Sequence, residues 1–251
     1  MKVLVTRPEK VGEELTEMLQ HHNISAIHYS PFDIVGGREL SQLPSVLASL
    51  TPNDYVLSVS KNAIYFAHHI LVQNNIKWRD DLKYFAIGKA SANYFSALSK
   101  QAVRYPIKFA NSETFLALPE MERVIHKNFI ILRAEKGREL ISTEITKRGA
   151  RVKSIECYCR LTKKGINAKM SFFKQARIDT LIISSCDILN TLLKQTSLQD
   201  RKWLIQCLLI VVSERIAKYA VSIGWRRDNI IISTQVNNNS LLETVITYHN
   251  Q

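Results

Sequence analysis

The sequence predicts a parallel α/β fold built from two similar modules, and two observations support this. Short apolar runs alternate along the chain with segments whose apolar residues recur at helical spacing, such as Leu15, Met18 and Leu19. The chain also contains an internal repeat. Because parallel neighbouring strands are usually joined by helical crossovers, this alternation favours mostly parallel sheets covered by helices.

Nine apolar runs are the candidate strands, and their lack of polar alternation suits strands that are buried on both faces. The six stronger candidates are KVLVT (2–6), YVLSVS (55–60), YFAIG (84–88), FIILR (129–133), TLIISS (180–185) and CLLIVVS (207–213). The three weaker candidates are ISAIHY (24–29), AVRYP (102–106) and NIIIS (229–233).

The internal repeat relates four stretches of each module. The pairs are 54-DYVLSVSKNAI-64 with 179-DTLIISSCDIL-189, 88-GKASA-92 with 213-SERIA-217, 6-TRPEK-10 with 132-LRAEK-136, and 111-NSETFLAL-118 with 239-NSLLETVI-246. Gly88 lies 34 residues after Asp54, and Ser213 lies 34 residues after Asp179. Matching order and spacing indicate two related modules.

The order of the paired stretches predicts how the modules divide the chain. The second module runs in one piece, whereas the first combines the N-terminal stretch with the C-terminal ones. We therefore expect three parts: a discontinuous domain 1 of residues 1–35 plus 165–251, an inserted domain 2 of residues 38–155, and linker strands at 30–37 and 154–164.

Composition narrows the class of protein. Apolar residues make up 46% and charged residues 22%, which is typical of a globular chain and argues against disorder. The apolar run Val3 to Val5 is too short for a signal peptide, and no run approaches the roughly 20 residues that span a bilayer. We expect a cytoplasmic protein without a membrane partner. The four cysteines form no C-x-x-C pair, so we expect no metal site.

The net charge of +12, from 34 basic and 22 acidic residues, is compatible with a polyanionic partner but does not identify it. Lysine and arginine are scattered, and no nucleic-acid-binding motif is present. A solvated basic surface explains the charge equally well, and we expect no nucleic-acid partner.

Several motifs follow one another over nearly the whole chain: 4-LVTRPE-9, 58-SVSKNAI-64, 86-AIGKASA-92, 112-SE-113, 131-ILRAEKGREL-140, 148-RGARVKSIECYCR-160, 184-SS-185 and 210-IVVSERIAKYAVSIGW-225. Together, in this order, they resemble the uroporphyrinogen-III synthase family. The chain departs from the family at Val59, Ser184 and Ser91, where threonine is frequent, but hydroxyl groups remain at Ser60, Ser91 and Ser185.

The resemblance implies two flavodoxin-like α/β domains joined by a two-stranded linker, with the substrate in the cleft between them. It implies a cofactor-free, monomeric enzyme, a cyclising carbon–oxygen lyase. The substrate would be hydroxymethylbilane, a linear tetrapyrrole with eight carboxylates that hydroxymethylbilane synthase could hand over transiently. The product would be uroporphyrinogen III, formed with inversion of ring D and loss of water.

Residues at the carboxyl ends of the strands are the candidate substrate ligands, because helix N-termini and arginines in such places favour anions. The candidates are Arg7, Ser60, Gly88, Lys89, Ala90, Ser91, Ala92, Ser112, Arg133, Ser185 and Ser213. We expect Ser91 and the backbone N–H groups of residues 88–92 to hold a carboxylate. Two alternatives remain open: each serine could simply cap a helix, and Arg7 could pair with Glu9 or Asp33.

Tyr158 is the candidate catalytic residue, because it lies on the second linker and matches the family's tyrosine there. A phenol can donate a proton or hydrogen bond to a leaving hydroxyl group. Packing at a hinge is the alternative role. Since no Ser–His–Asp set is evident, we expect catalysis mainly by positioning. The alternative function is a non-catalytic, two-lobed cytoplasmic binding protein for a polyanionic small molecule.

Overall fold

The computed structural model of the protein describes residues 1–249. The chain divides into two compact units. Unit 1 combines Met1–Asp33 with the chain from Leu161 onward, and unit 2 is Ile34–Arg160. Unit 2 is thus one continuous segment, whereas unit 1 needs two segments that are far apart in sequence.

The helices and strands alternate along the whole described chain. Up to residue 116 they are β1 (Lys2–Val5), α1 (Glu9–His21), β2 (Ser25–His28), β3 (Phe32–Gly36), α2 (Leu43–Ala48), β4 (Tyr55–Ser58), α3 (Lys61–Gln73), β5 (Lys83–Ala86), α4 (Lys89–Ser99), β6 (Val103–Arg104) and α5 (Ser112–Leu116). They continue with β7 (Asn128–Ala134), α6 (Leu140–Lys147), β8 (Arg151–Thr162), α7 (Ile166–Gln175), β9 (Thr180–Ile183), α8 (Cys186–Gln195), α9 (Leu198–Gln206), β10 (Leu208–Val211), α10 (Glu214–Ser222), β11 (Ile230–Ile232) and α11 (Asn238–His249). All nine predicted strands are confirmed. The proposed linker 30–37 contains β3, whereas β8 begins at Arg151, before the second proposed linker, 154–164.

Unit 1 contains a five-stranded sheet in the order β11-β10-β9-β1-β2, and every neighbouring pair is parallel. Numbered along the chain within the unit, this order is 2-1-3-4-5 read from the β2 edge. That is the flavodoxin-like order, and it confirms the predicted parallel α/β class for this unit.

Unit 2 repeats that spatial order with a different starting point in the chain. Its sheet runs β3-β8-β7-β4-β5-β6, and the five strands from β8 to β6 are parallel. If β7 is placed on β1 and β4 on β9, the five parallel strands have the same order as in unit 1. The two sheets are therefore related by a circular permutation.

The strand β8 extends through the boundary that the sequence suggested for the second linker. It pairs with β7 from Arg151 as far as Tyr158, so residues 154–158 belong to the sheet of unit 2. A β-bulge interrupts this pairing, because Arg133 lies opposite Glu156 while the next residue, Ala134, lies opposite Tyr158. Cys157 is the extra residue of the bulge.

Each unit has an apolar layer on both faces of its sheet, which explains the uninterrupted apolar strands. In unit 1, Leu4 packs with residues of α7 to α10, whereas its neighbours Val3 and Val5 pack with residues of α1 and α11. In unit 2, Val56 packs with residues of α3 and α4, whereas Leu57 packs with residues of α5 and α6. Successive strand residues point to opposite faces, so both layers are filled.

The aspartate that opens each repeat ties two neighbouring strands together at their N-terminal ends. In unit 2, Asp54 accepts hydrogen bonds from the Asn128 N–H at 3.0 Å and the Asn128 side-chain amide at 2.6 Å, and two more from Thr51. In unit 1, Asp179 accepts one from the Lys2 N–H at 2.9 Å. Because Asn128 and Lys2 each open a strand, the two contacts are equivalent.

We predict that Asp54→Asn lowers the free energy of unfolding at pH 7 by about 2 kcal/mol, because the new amide would face donors that need an acceptor. Asp179→Asn should cost less than about 1 kcal/mol, since the Asp179 side chain is 56% exposed whereas Asp54 is buried. Urea denaturation followed by circular dichroism measures both losses, and equal losses would contradict this account.

The effect of Asp54→Asn should also depend on pH. Burial alone would raise the pKa of Asp54, but hydrogen bonds from Asn128 and Thr51 outweigh it and hold the pKa below the ordinary value. The stabilisation is therefore complete above the unfolded pKa of about 3.9 and is lost as the pH falls through the lower folded value. The difference in the free energy of unfolding between the wild type and Asp54→Asn should therefore become smaller at acidic pH.

Candidate functional site

The carboxyl ends of the strands in unit 2 surround a cavity of about 350 Å³. The residues that line it are Val59, Ser60, Ile87, Ala110, Asn111, Ser112, Ile131, Arg133, Ala134, Lys136, Gly137, Arg138, Ile141, Ser142 and Tyr158. The chain leaves β4 toward β5 on one side and returns to β7 on the other, so the cavity lies at the topological switch point of the sheet. Open α/β sheets bind ligands at such points.

The charged groups that line this cavity are cationic. Arg133, Lys136 and Arg138 contribute to its wall, and no carboxylate is among the described lining residues. Arg138 lies 3.3 Å from Glu113, but both side chains are largely exposed, so this ion pair contributes little. With the hydroxyl groups of Ser60, Ser142 and Tyr158, the wall suits an anionic ligand that also has apolar parts.

Arg133 is the buried cation of the cavity, with 7% of its surface exposed. Its guanidinium forms an ion pair at 2.6 Å with Glu139, whose side chain is 65% exposed. Two hydrogen bonds lower the pKa of Glu139. The one from the Ser142 hydroxyl group has the larger effect, and the one from Arg133 comes next. The buried arginine is thus neutralised by a carboxylate that remains close to solvent.

Gly137 leaves space for this arginine. A Cβ atom at Gly137 would lie 3.2 Å from one terminal nitrogen of Arg133. A larger residue would therefore press on the guanidinium. The glycine of the motif 131-ILRAEKGREL-140 is explained by packing against Arg133.

Ser60 and Tyr158 meet at another part of the wall. The Ser60 hydroxyl oxygen accepts the N–H of Ala63 at 3.2 Å and so caps α3. The same hydroxyl donates to the Tyr158 oxygen at 3.2 Å. Tyr158 is only 6% exposed, and its ring lies nearly parallel to that of Phe66 with centroids 6.4 Å apart. The tyrosine is therefore a fixed element of the cavity wall beside the N-terminus of α3.

Two N–H groups of the turn 88-GKASA-92 are used inside α4. The N–H groups of Ser91 and Ala92 donate to the carbonyl of Gly88 at 3.1 and 2.9 Å. Lys89 and Ala90, which open α4, carry the N–H groups that an α-helix leaves without an internal acceptor. Residues 88–92 do not line the cavity, although Ile87 does.

Gly88 is required by packing, because its backbone is extended, with φ of −157°. A Cβ atom there would lie 2.7 Å from the Cβ of Ala110. The lone glycine of this turn therefore allows the 105–111 loop to approach α4. It gives no indication of a phosphate-binding loop.

The other candidate serines differ in whether their side chains cap the N-terminus of a helix. Ser185 caps α8 through the N–H of Ile188 at 3.2 Å, as Ser60 caps α3. Ser213 precedes α10 without a capping bond from its side chain. Ser112 is the first residue of α5 and lines the cavity, and the cap of that helix is Asn111. The helix-cap alternative therefore holds for two of the five serines.

Arg7 follows the carboxyl end of β1 in unit 1. Its guanidinium donates to the Asn238 side-chain oxygen at 2.7 Å, so the alternative that it pairs with Glu9 or Asp33 is wrong. Asp33 instead lies 3.4 Å from Lys163. Desolvation by burial lowers the pKa of Arg7.

Sequence reasoning missed Glu139 and Ser142. Both follow Arg133 within one loop and the first turn of α6, and Glu139 lies inside the motif 131-ILRAEKGREL-140. That motif was the available signal. It did not reveal that the loop folds back, so that Glu139 pairs with Arg133 across six positions.

Residues 1–249 contain no group of three or more histidine, cysteine or acidic side chains that could hold a metal ion. Over the same range, no helix is both long and apolar enough to cross a membrane.

These features define an α/β protein of two permuted units, one of which carries a cavity suited to an anionic ligand. Residues 13–243 match the family model described as "Uroporphyrinogen-III synthase HemD". The uroporphyrinogen-III synthases of Salmonella typhimurium and Escherichia coli are each 36% identical over 247 residues, which cover 98% of this chain and 100% of theirs. The chain belongs to the uroporphyrinogen-III synthase family.

Solved structures share the fold. A mutant uroporphyrinogen III synthase from Thermus thermophilus matches with a TM-score of 0.64 at 13% identity, over 100% of both chains. The enzyme from Helicobacter pylori matches with a TM-score of 0.61 at 13% identity, over 98% of this chain and 99% of that one. They confirm the two-domain α/β architecture that the sequence predicted.

We predict that the four thiols differ in reactivity in the native protein. Burial raises the pKa of Cys157 and of Cys207 to about 12, so almost no thiolate forms there at pH 8. Cys159 and Cys186 are partly exposed. Iodoacetamide should modify these two first, as read by peptide mass spectrometry, and all four should react in urea. Native labelling of Cys157 as fast as Cys159 would contradict the prediction.

Proposed function

We propose that this protein closes hydroxymethylbilane to uroporphyrinogen III, with inversion of ring D and loss of water, as a cyclising carbon–oxygen lyase. Family membership supports this function. The observation that carries it is the cavity of unit 2, where Arg133, Lys136 and Arg138 accompany the buried Tyr158. Such a wall suits a ligand that combines carboxylates with pyrrole rings.

The cations and hydroxyl groups would bind and orient the substrate. Arginine can hold a carboxylate through two parallel hydrogen bonds, and Arg133 is already desolvated by the fold. Ser112 and Ser142 offer hydroxyl groups along the same wall, to which Ser60 also contributes. The bound bilane would be held with the substituted carbon of ring D facing the reactive end. The substrate then does not have to reach this conformation by chance. Positioning of this kind can supply a large part of a rate enhancement.

Tyr158 would assist departure of the hydroxyl group from ring A. The phenol gives its proton as the carbon–oxygen bond breaks, water leaves, and the pyrrole nitrogen supplies the electron pair that forms the azafulvene cation. Ring D then attacks to give the spiro intermediate, which fragments and recloses. The carbon that closes the macrocycle loses a proton, which restores the phenol and balances the reaction.

The substrate-binding roles of Arg7, Ser185 and Ser213 in unit 1, and of residues 88–92 in unit 2, are part of the same proposal. For residues 88–92, the proposed donors are the Ser91 hydroxyl group and the N–H groups of Lys89 and Ala90. We also propose a cytoplasmic, monomeric enzyme that receives its substrate directly from hydroxymethylbilane synthase. Direct transfer suits a bilane that otherwise closes spontaneously to the type I isomer.

The identity of the product isomer tests this function. Incubation with enzymatically generated hydroxymethylbilane, followed by oxidation and chromatography, should give mainly the type III porphyrin. Formation of the type I isomer alone would contradict the proposal. Saturable binding of the octacarboxylate without type III product would favour the two-lobed binding protein.

We predict that Glu139→Gln lowers the KM for hydroxymethylbilane by about two- to fivefold, because a substrate carboxylate would no longer compete with an internal one for Arg133. Glu135→Gln is the matched control, since Glu135 pairs with the exposed Arg38 and does not line the cavity. Steady-state kinetics measure both variants. A higher KM in Glu139→Gln alone would show that Glu139 helps to hold the substrate.

A further inference from the structure

We infer that Ser60 is a positioning residue that orients the hydroxyl group of Tyr158, so that the phenol proton is directed to a ligand in the cavity. This inference rests on the proposed function, because it assigns the direction of the proton that Tyr158 would donate. It gives Ser60 a role that differs from capping α3 and from binding a substrate carboxylate.

The direction of the hydrogen bond between Ser60 and Tyr158 is the basis of this inference. A serine hydroxyl has one proton to donate and two lone pairs that accept. One lone pair accepts the N–H of Ala63, which fixes the Ser60 side chain at the helix N-terminus. Its proton is directed to the Tyr158 oxygen at 3.2 Å. In this arrangement Tyr158 is the acceptor, and its own proton is free for another partner.

The surroundings of Tyr158 leave a ligand as the partner for that proton. Among residues 1–249, the Tyr158 hydroxyl group donates to no protein acceptor. The ring is buried and lies against Phe66, so the side chain has little freedom to turn away. Because Ser60 and Tyr158 both line the cavity, a leaving hydroxyl group there can accept the proton.

The helix that Ser60 caps favours the same direction of transfer. α3 has 13 residues, and its N-terminus carries partial positive charge close to the Tyr158 oxygen. Negative charge that develops on this oxygen as the proton leaves is thereby stabilised. Ser60 thus couples the tyrosine to the helix dipole as well as to a hydrogen-bond donor.

The internal repeat supplies a matched control. Ser185 caps α8 through a bond of the same length, 3.2 Å, to the N–H of Ile188. In the part of the chain that the structure describes, the Ser185 hydroxyl donates to no tyrosine. Ser60→Ala and Ser185→Ala therefore remove equivalent caps, but only the first removes a contact with Tyr158.

The experiment combines Ser60→Ala and Ser185→Ala with Tyr158→Phe and measures kcat and KM for type III product. Ser60→Ala should lower kcat about tenfold with KM within about twofold, and Ser60→Thr should restore kcat. In the Tyr158→Phe background, Ser60→Ala should cause no further loss. Ser185→Ala should have the same proportional effect in both backgrounds. Independent, multiplicative losses from Ser60→Ala and Tyr158→Phe would overturn the inference.

Two further measurements separate positioning from stability. Thermal unfolding should show similar losses for Ser60→Ala and Ser185→Ala, because both lose a cap. Ser60→Asp keeps an acceptor for Ala63 but has no proton to donate, so it should fold and still lose kcat. A folded Ser60→Asp variant with wild-type kcat would overturn the inference.

A spectroscopic measurement tests the contact without turnover. With tyrosine labelled at the ring carbon that bears oxygen, the Tyr158 resonance is identified by its absence in Tyr158→Phe. It should shift in Ser60→Ala, return in Ser60→Thr, and remain unchanged in Ser185→Ala. An unshifted resonance in Ser60→Ala would overturn the inference. If the wild type forms no type III product, the proposed function fails, while this measurement still decides whether Ser60 orients Tyr158.

Discussion

The parallel pairing of β4 with β7 is the constraint on which unit 2 and its cavity depend. At one end of the pair, Asp54 holds the first residue of β7 through its backbone N–H and its side chain. At the other end, the same register brings Ser60 and Arg133 to one wall. A shift of this pairing by one residue would turn every side chain of the strand to the opposite face. The contacts of Asp54 and the position of the cavity wall therefore depend on the same register of β4 with β7.

The positions of the strands could be predicted because their chemistry is local. Most of the predicted strands contain an uninterrupted apolar run of three to six residues, and the repeat relates one sheet to the other. The same reasoning correctly placed Ser60 and Arg133 near the carboxyl ends of strands. It could not determine what each residue contacts, because Glu139 reaches Arg133 only after a loop folds back.

The place of Tyr158 shows most clearly where the sequence stops being informative. In 157-CYCR-160, simple alternation decides only that neighbouring residues face opposite sides of a strand. The bulge at Cys157 shifts that alternation and places Tyr158 opposite Ala134. A bulge depends on pairing with a distant strand, so no local pattern reveals it. In the turn 88-GKASA-92, the sequence predicts a ligand-binding serine with a free N–H group. The structure shows that the first turn of α4 uses the N–H group of Ser91 internally.

The division of the chain has a consequence for the order in which the protein folds during synthesis. Unit 2 has all of its parallel strands once residue 160 has left the ribosome, whereas β1 must wait for β9, which begins at Thr180. During that interval, β1 has an open edge that other chains could pair with. The first strand to be synthesised thus completes its pairing only when the last third of the polypeptide has been made. Until then, the nascent chain is prone to aggregate.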